Sequence, residues 1–149
     1  MASKMQDDLG RSAVHLLHRA GQCAEELFQT EIGDVDLTPR QLAVLNAVAE
    51  NEGLSQTGIV ERTGIDRSTL ADIVRRLSKK GLLQRRRTKE DARAYAVKLT
   101  DEGEKLLRRV SPMAKKVDQR ILQAMGGGKD DMLDRLQGMI RKLQAPSTD

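Results

Sequence analysis

Aromatic side chains are nearly missing from this chain of 149 residues, which has no tryptophan, one tyrosine and one phenylalanine. Leucine, isoleucine, valine, alanine and methionine must therefore build the core, and the scarcity of aromatic and β-branched runs favours helices. Cysteine occurs once, as Cys23, so no internal disulfide can form, which fits a reducing compartment. No window approaches the roughly 18 apolar residues that a membrane span needs. The opening "MASKMQDDLG" has no apolar core of the kind a signal peptide carries. The expectation is a cytoplasmic protein with no membrane partner.

Histidine is scarce too. His15 and His18 are the only two, and a zinc site wants three or four ligands, so a site would have to recruit Cys23 or carboxylates. The glycines at 126–128 precede a helix but follow no strand and lack the Lys-Ser/Thr of a phosphate loop. No nucleophile with a neighbouring base stands out. The sequence thus implies no metal, no cofactor and no catalytic residues.

Charge is plentiful and unevenly placed. Between Arg75 and Lys98 stand ten Lys and Arg against two acids, a local charge of +8, while the remainder carries 16 basic and 20 acidic side chains. Concentrated positive charge is the footprint of a polyanion partner. On its own such a charge run is more often a solvated basic face.

Apolar spacing divides the chain into helices. Ala13, Leu16, Leu17, Ala20, Ala24, Leu27 and Phe28 form a stripe that predicts a first helix from about Asp7 to Glu31. Thr38 caps a second, with Pro39 in its first position, where the missing N–H costs nothing. Ser55 can cap a short helix, Gln56 to Arg62. Gly64 turns the chain, and Asp66 caps a helix from Arg67 to Lys80 that Gly81 ends. In that helix Leu70, Ile73, Val74 and Leu77 face inward, while Arg67, Ser68, Thr69, Asp72, Arg75, Arg76 and Lys79 face out. Strands are expected at Leu82 to Arg87 and Tyr95 to Leu99. Thr100 caps a long helix that contains Pro112 and should kink there. A last helix reaches about Leu143.

A short helix, a glycine turn, a second helix with a polar face and then a basic hairpin describe a helix-turn-helix with a wing. The stretch "GLSQTGIVERTGIDRSTLADIVRRLSKKGLLQRRRTKEDARAYAVKLTDEGEKL" resembles the MarR family of bacterial winged helix-turn-helix transcription regulators. Its most specific element is Asp91-Ala-Arg93 followed by Val97, Leu99, Thr100 and Gly103, similar to the family's wing signature, D-x-R-x-x-x-V-x-L-T-x-x-G. The resemblance implies a mainly α fold with a small β-hairpin wing. The DNA-binding lobe would span residues 37–103, and terminal helices at 7–36 and 104–145 would form a dimerisation domain, all within one domain, 1–149.

The resemblance also implies partners and sites. Double-stranded DNA carrying a near-palindromic operator would be read in successive major grooves. The residues expected at the DNA are Ser55, Gln56, Arg67, Ser68, Thr69, Asp72, Arg75, Arg85, Arg87, Asp91 and Arg93. Arg93 would enter or flank the minor groove, with Asp91 orienting its guanidinium. A homodimer and a small organic effector, an aromatic or amphipathic acid or its thioester, complete the picture, and the protein would act as a repressor that the effector releases. Apart from the resemblance, Arg11, His15, His18, Arg19 and Gln22 share a polar flank of the first helix, and because a buried anion needs a cation, His15, His18, Arg19 and Cys23 are the candidate effector contacts.

Other readings remain. Cys23 could sense oxidants, as in members that use a cysteine on this helix, but the tyrosines that assist it there are absent here. It otherwise behaves as a small hydrophobe. A small hydrolase or transferase and a DNA-packaging protein are the remaining alternatives. The latter has no need of amphipathic terminal helices.

Overall fold

The computed structural model describes residues 8–87 and 95–145, apart from the side chain of Lys129. Helix α1 spans Ala13–Ile32, α2 Pro39–Glu50, α3 Gln56–Thr63, α4 Arg67–Lys79, α5 Asp101–Met125 and α6 Lys129–Gln144. Strands β1 (Leu54–Ser55), β2 (Leu83–Arg87) and β3 (Tyr95–Leu99) form an antiparallel sheet in the order β1-β3-β2. The winged helix-turn-helix expected from sequence is present: α3, a turn at Gly64, α4 and the β2–β3 hairpin.

Local chemistry sets the helix ends. The Thr38 hydroxyl accepts from Gln41 N at 3.1 Å, and the Gln41 side chain accepts from Thr38 N at 3.1 Å, a reciprocal capping box ahead of Pro39. Ser55 accepts from Gly58 N at 3.0 Å and Thr100 from Gly103 N at 3.0 Å. Ser12 accepts from His15 N at 3.3 Å. Residues 8–10 are helical too, so the helix expected from about Asp7 is interrupted at 11–12 and this cap restarts it at Ala13, because a residue that caps a helix has left helical dihedrals itself.

Helix α4 closes one residue earlier than expected. Leu82 N donates to Leu77 O at 2.9 Å and Gly81 N to Ser78 O at 3.0 Å, with Gly81 at φ +77°. These two bonds are a Schellman ending, which needs a left-handed residue at Gly81. They also use the Leu82 N–H, so β2 begins at Leu83. The two-residue strand β1 was not anticipated. It pairs Leu54 with Val97 and Ser55 with Ala96, using the central strand's free edge.

One core joins the lobe to the long helices. Leu37, Leu45, Ile59, Leu70, Leu77, Val97 and Val110 are all 2% exposed or less, and Phe28 and Val117 extend the cluster between α1 and α5. Helix α5 runs through Pro112 without interruption.

Gly103 marks where the lobe meets α5. A Cβ built there would lie 2.2 Å from the Leu82 carbonyl oxygen and 3.2 Å from Leu99 Cδ2. Backbone cannot yield as a side chain does. Gly103→Ala is therefore expected to destabilise the fold by at least about 1–3 kcal/mol, read as a lowered midpoint in thermal or urea unfolding. A midpoint equal to that of the parent protein would mean that α5 can slide away from Leu82 at no cost.

Candidate nucleic-acid interface and effector cavity

The outer face of α4 begins at its cap. The Asp66 carboxylate accepts from Thr69 N at 2.9 Å, from the Ser68 hydroxyl at 2.9 Å and from the Thr69 hydroxyl at 2.7 Å. The bonds from Thr69, first its backbone and then its hydroxyl, with that from Ser68, pull the carboxyl down to about 2. One turn on, Asp72 takes hydrogen bonds from Arg75 and, at 2.9 Å, from Arg76 Nε. The Arg75 bond is the main reason its carboxyl stays below the ordinary range. Pairs this exposed add little stability. Their effect is to hold two guanidinium groups along the exposed side of α4.

The wing stem is ordered by its register. Arg85 pairs with Val97 and Arg87 with Tyr95 across the hairpin, so all four share one face. At the base that face packs Leu83 and Val97 into the core. Further out, the guanidinium carbons of Arg85 and Arg87 lie 5.8 and 5.9 Å from the centre of the Tyr95 ring. A cation over an aromatic face is attracted by its quadrupole. The chain's one tyrosine thus steadies two arginines.

Of the residues expected at DNA, Arg67, Ser68, Thr69, Asp72 and Arg75 lie together on α4, and Arg85 and Arg87 on the stem. Ser55 and Gln56 start α3, where the Ser55 hydroxyl is used as a helix cap. Asp91 and Arg93 lie outside the described residues. Sequence reasoning read Asp66 as a cap and Tyr95 as a strand residue. Their hold on Ser68, Thr69, Arg85 and Arg87 depends on side-chain geometry, although an Asx cap two and three residues before Ser and Thr is a readable signal.

A second feature lies where α1, the start of α2 and α5 meet. It is a cavity of about 770 Å³ with Leu17, Phe28, Val117 and Ile121 among its apolar walls. His18, Arg40 and Asp118 supply polar groups, and burial raises the Asp118 carboxyl above its ordinary value. Only His18 of the four α1 candidates lines it. At about 100° per residue, Arg19 and Cys23 fall on the opposite side of α1 from Leu17, Gly21 and Phe28, and His15 lies off the lining face. Arg40 and Asp118, which come from other helices, were not among the sequence candidates. Another hollow, of about 640 Å³, lies between β3, the end of α2 and α5. There Lys98 is already bonded to Glu52 at 2.7 Å.

Comparison with known proteins fits this geometry. The MarR family model matches residues 35–94. The transcriptional regulator HosA of Escherichia coli O111:H- is 32% identical over 135 residues, covering 91% of this chain and 96% of HosA. The chain belongs to the MarR family. Among solved structures, this MarR chain is similar to the PcaV regulator of Streptomyces coelicolor in complex with its natural ligand. The identity is 33% and the TM-score 0.82, over 93% of this chain and 96% of PcaV. It is also similar to Bordetella bronchiseptica BpsR, whose DNA binding is regulated by 6-hydroxynicotinic acid, at 27% identity and TM-score 0.78 over 89% and 95% of the two chains.

The stem predicts a separable effect. Arg85→Ala should weaken binding to every duplex and flatten the slope of log affinity against log salt by about one contact. Tyr95→Ala should weaken binding severalfold while leaving the slope nearly unchanged, since both arginines remain. Fluorescence titration over a salt series measures both. An Arg85→Ala slope equal to that of the parent would remove the stem from the phosphate contacts.

Proposed function

We propose that this MarR-family chain is a DNA-binding transcription regulator that acts as a homodimer on a near-palindromic operator and leaves it when a small organic acid fills the α1–α2–α5 cavity. The observation that carries the reading is a polar, capped α4 followed directly by a wing stem of two arginines stacked on Tyr95, in a chain of this family. Ser68 and Thr69 face base edges, and Arg75, Arg85 and Arg87 meet phosphates or the groove rim. BpsR answers to an aromatic acid, and that class suits a cavity with apolar walls and a cation at the rim. The protein works by binding, with no catalytic step, and its place is the cytoplasm. Among the described residues no helix is long and apolar enough to cross a membrane.

Dimerisation is supported by apolar surface on the terminal helices. In the single chain Val14 is 82% exposed and Leu143 75%, with Leu16, Leu17, Leu133 and Ile140 also exposed. A monomer rarely leaves so many large apolar side chains grouped on two helices. Helices α1, α5 and α6 form the dimerisation part and the segment 37–103 the DNA-binding lobe. Two lobes held this way would present paired α4 helices to half-sites one turn apart.

An effector can shift DNA affinity only by binding the DNA-incompetent dimer more tightly than the competent one. Its anionic group would meet Arg40 at the mouth of the cavity and His18 across from it, because a desolvated carboxylate needs a cation. A hydroxyl on the ring would donate to Asp118. Arg40→Ala is expected to leave operator affinity unchanged and to raise the effector concentration for half-release roughly tenfold or more. The measurement is a gel shift against a panel of monocyclic aromatic acids that includes 6-hydroxynicotinic acid. If an acid released parent and variant at the same concentration, the effector would not sit on Arg40.

A further inference from the structure

The hydroxyl groups of Ser68 and Thr69 are not free to act as both donor and acceptor. A carboxylate carries no hydrogen, so in the two short contacts to Asp66, at 2.9 and 2.7 Å, each hydroxyl must be the donor. Charge-assisted bonds of this kind are about twice as strong as neutral ones. Asp66 remains ionised at any physiological pH, with its carboxyl near 2. The carboxylate is in turn fixed, because one of its oxygens also takes the Thr69 N–H that begins α4. What each hydroxyl can still offer outward is lone pairs.

We infer that Asp66 sets the polarity of base reading: by holding the Ser68 and Thr69 hydrogens it makes both side chains acceptors only, selecting base edges that donate. The inference rests on the reading that these two residues face the bases. In the major groove adenine offers its N6 amine and cytosine its N4 amine, whereas guanine and thymine offer acceptors on the same edge. Every base pair carries one such amine, so an acceptor-only hydroxyl distinguishes which strand bears it. The positions read by Ser68 and Thr69 are therefore adenine or cytosine on the contacted strand, and guanine or thymine there would leave two acceptors face to face. Asp66 touches no base in this account and is a positioning residue.

Asparagine at position 66 makes a distinctive prediction. It caps helices as well as aspartate does, and to cap α4 its carbonyl oxygen must stay on Thr69 N. Its amide nitrogen then replaces the second carboxylate oxygen and donates to the Thr69 hydroxyl, releasing that hydrogen towards the groove. Ser68 keeps its acceptor on the carbonyl oxygen. Asp66→Asn thus inverts reading by Thr69 alone.

The experiment selects binding sites from random duplexes for the parent protein, Ser68→Ala, Thr69→Val and Asp66→Asn, with circular dichroism to confirm folding. Base analogues are then placed at the pair whose preference Thr69→Val abolishes. Removing the exocyclic amine, with purine for adenine or 2-pyrimidinone for cytosine, should cost the parent about 5–10-fold in affinity and cost Thr69→Val nothing. Asp66→Asn should prefer guanine or thymine at that position and keep the Ser68 position unchanged. If Thr69→Val and Ser68→Ala select the parent consensus, the base-facing assignment fails. If they relax a position whose affinity depends on a base acceptor, the residues face bases but the polarity is wrong. The Thr69→Val comparison stands by itself should Asp66→Asn not fold.

Discussion

The close approach of Gly103 to the Leu82 carbonyl is the contact on which the arrangement of this molecule depends. Four elements end or begin within a few residues of it. The Schellman ending of α4 delivers the chain to Leu82, β2 leaves from Leu83, and β3 returns to Thr100, which caps α5. Thr100 N donates to Leu82 O at 3.1 Å, and its hydroxyl donates to the carbonyl of Gly81. The same carbonyl that accepts from Thr100 is the one that excludes a side chain at 103. The end of α4, both feet of the wing and the start of the longest helix therefore move as one piece.

In the proposed function, that joint would give the terminal helices a lever on DNA contact. A rotation of α5 carries the end of α4 and the feet of β2 and β3 with it, because Leu82, Thr100 and Gly103 hold them in direct contact. A second tie starts beside that joint, where Lys80 Nζ meets both the backbone oxygen and a carboxylate oxygen of Asp36, each at 2.9 Å. Asp36 precedes the Thr38 cap and Arg40, which border the cavity. Lys80, at the C-cap of α4, is thus tied to the loop beside the proposed effector site. In the proposed function, a ligand that spreads α1, α2 and α5 would act on both connections, and half-site spacing would change by rigid-body motion of well-packed parts.

Much of this was legible in the residues because the signals are local. Thr38-Pro39, Ser55, Asp66 and Thr100 cap the helices the sequence places them on, and the stripe Leu70, Ile73, Val74, Leu77 is buried as its period requires. The wing's basic strand and its alternating partner also paired as expected. What escaped needs three dimensions. Two residues, Leu54 and Ser55, carry no strand pattern of their own and become β1 only because β3 offers an edge. Arg40 and Asp118 share a cavity with His18 although far apart in sequence, whereas Arg19 and Cys23, close to His18 in sequence, turn to the other side of α1. Tyr95 gains its role from the register that sets it opposite Arg87. The polarity of Ser68 and Thr69 was hidden for a different reason: residue type gives a hydroxyl both roles, and only its partner decides which remains.

The central claim is that two copies of this chain, joined through the terminal helices, place two α4 helices in one operator. Sedimentation of the protein with a duplex containing its selected site, combined with hydroxyl-radical footprinting, tests it directly. The account predicts two chains per duplex and two protected regions of related sequence about 34–36 Å apart, with the complex resolving into dimer and free DNA as salt is raised. One chain per duplex, or a single protected region with no symmetry-related partner, would contradict it.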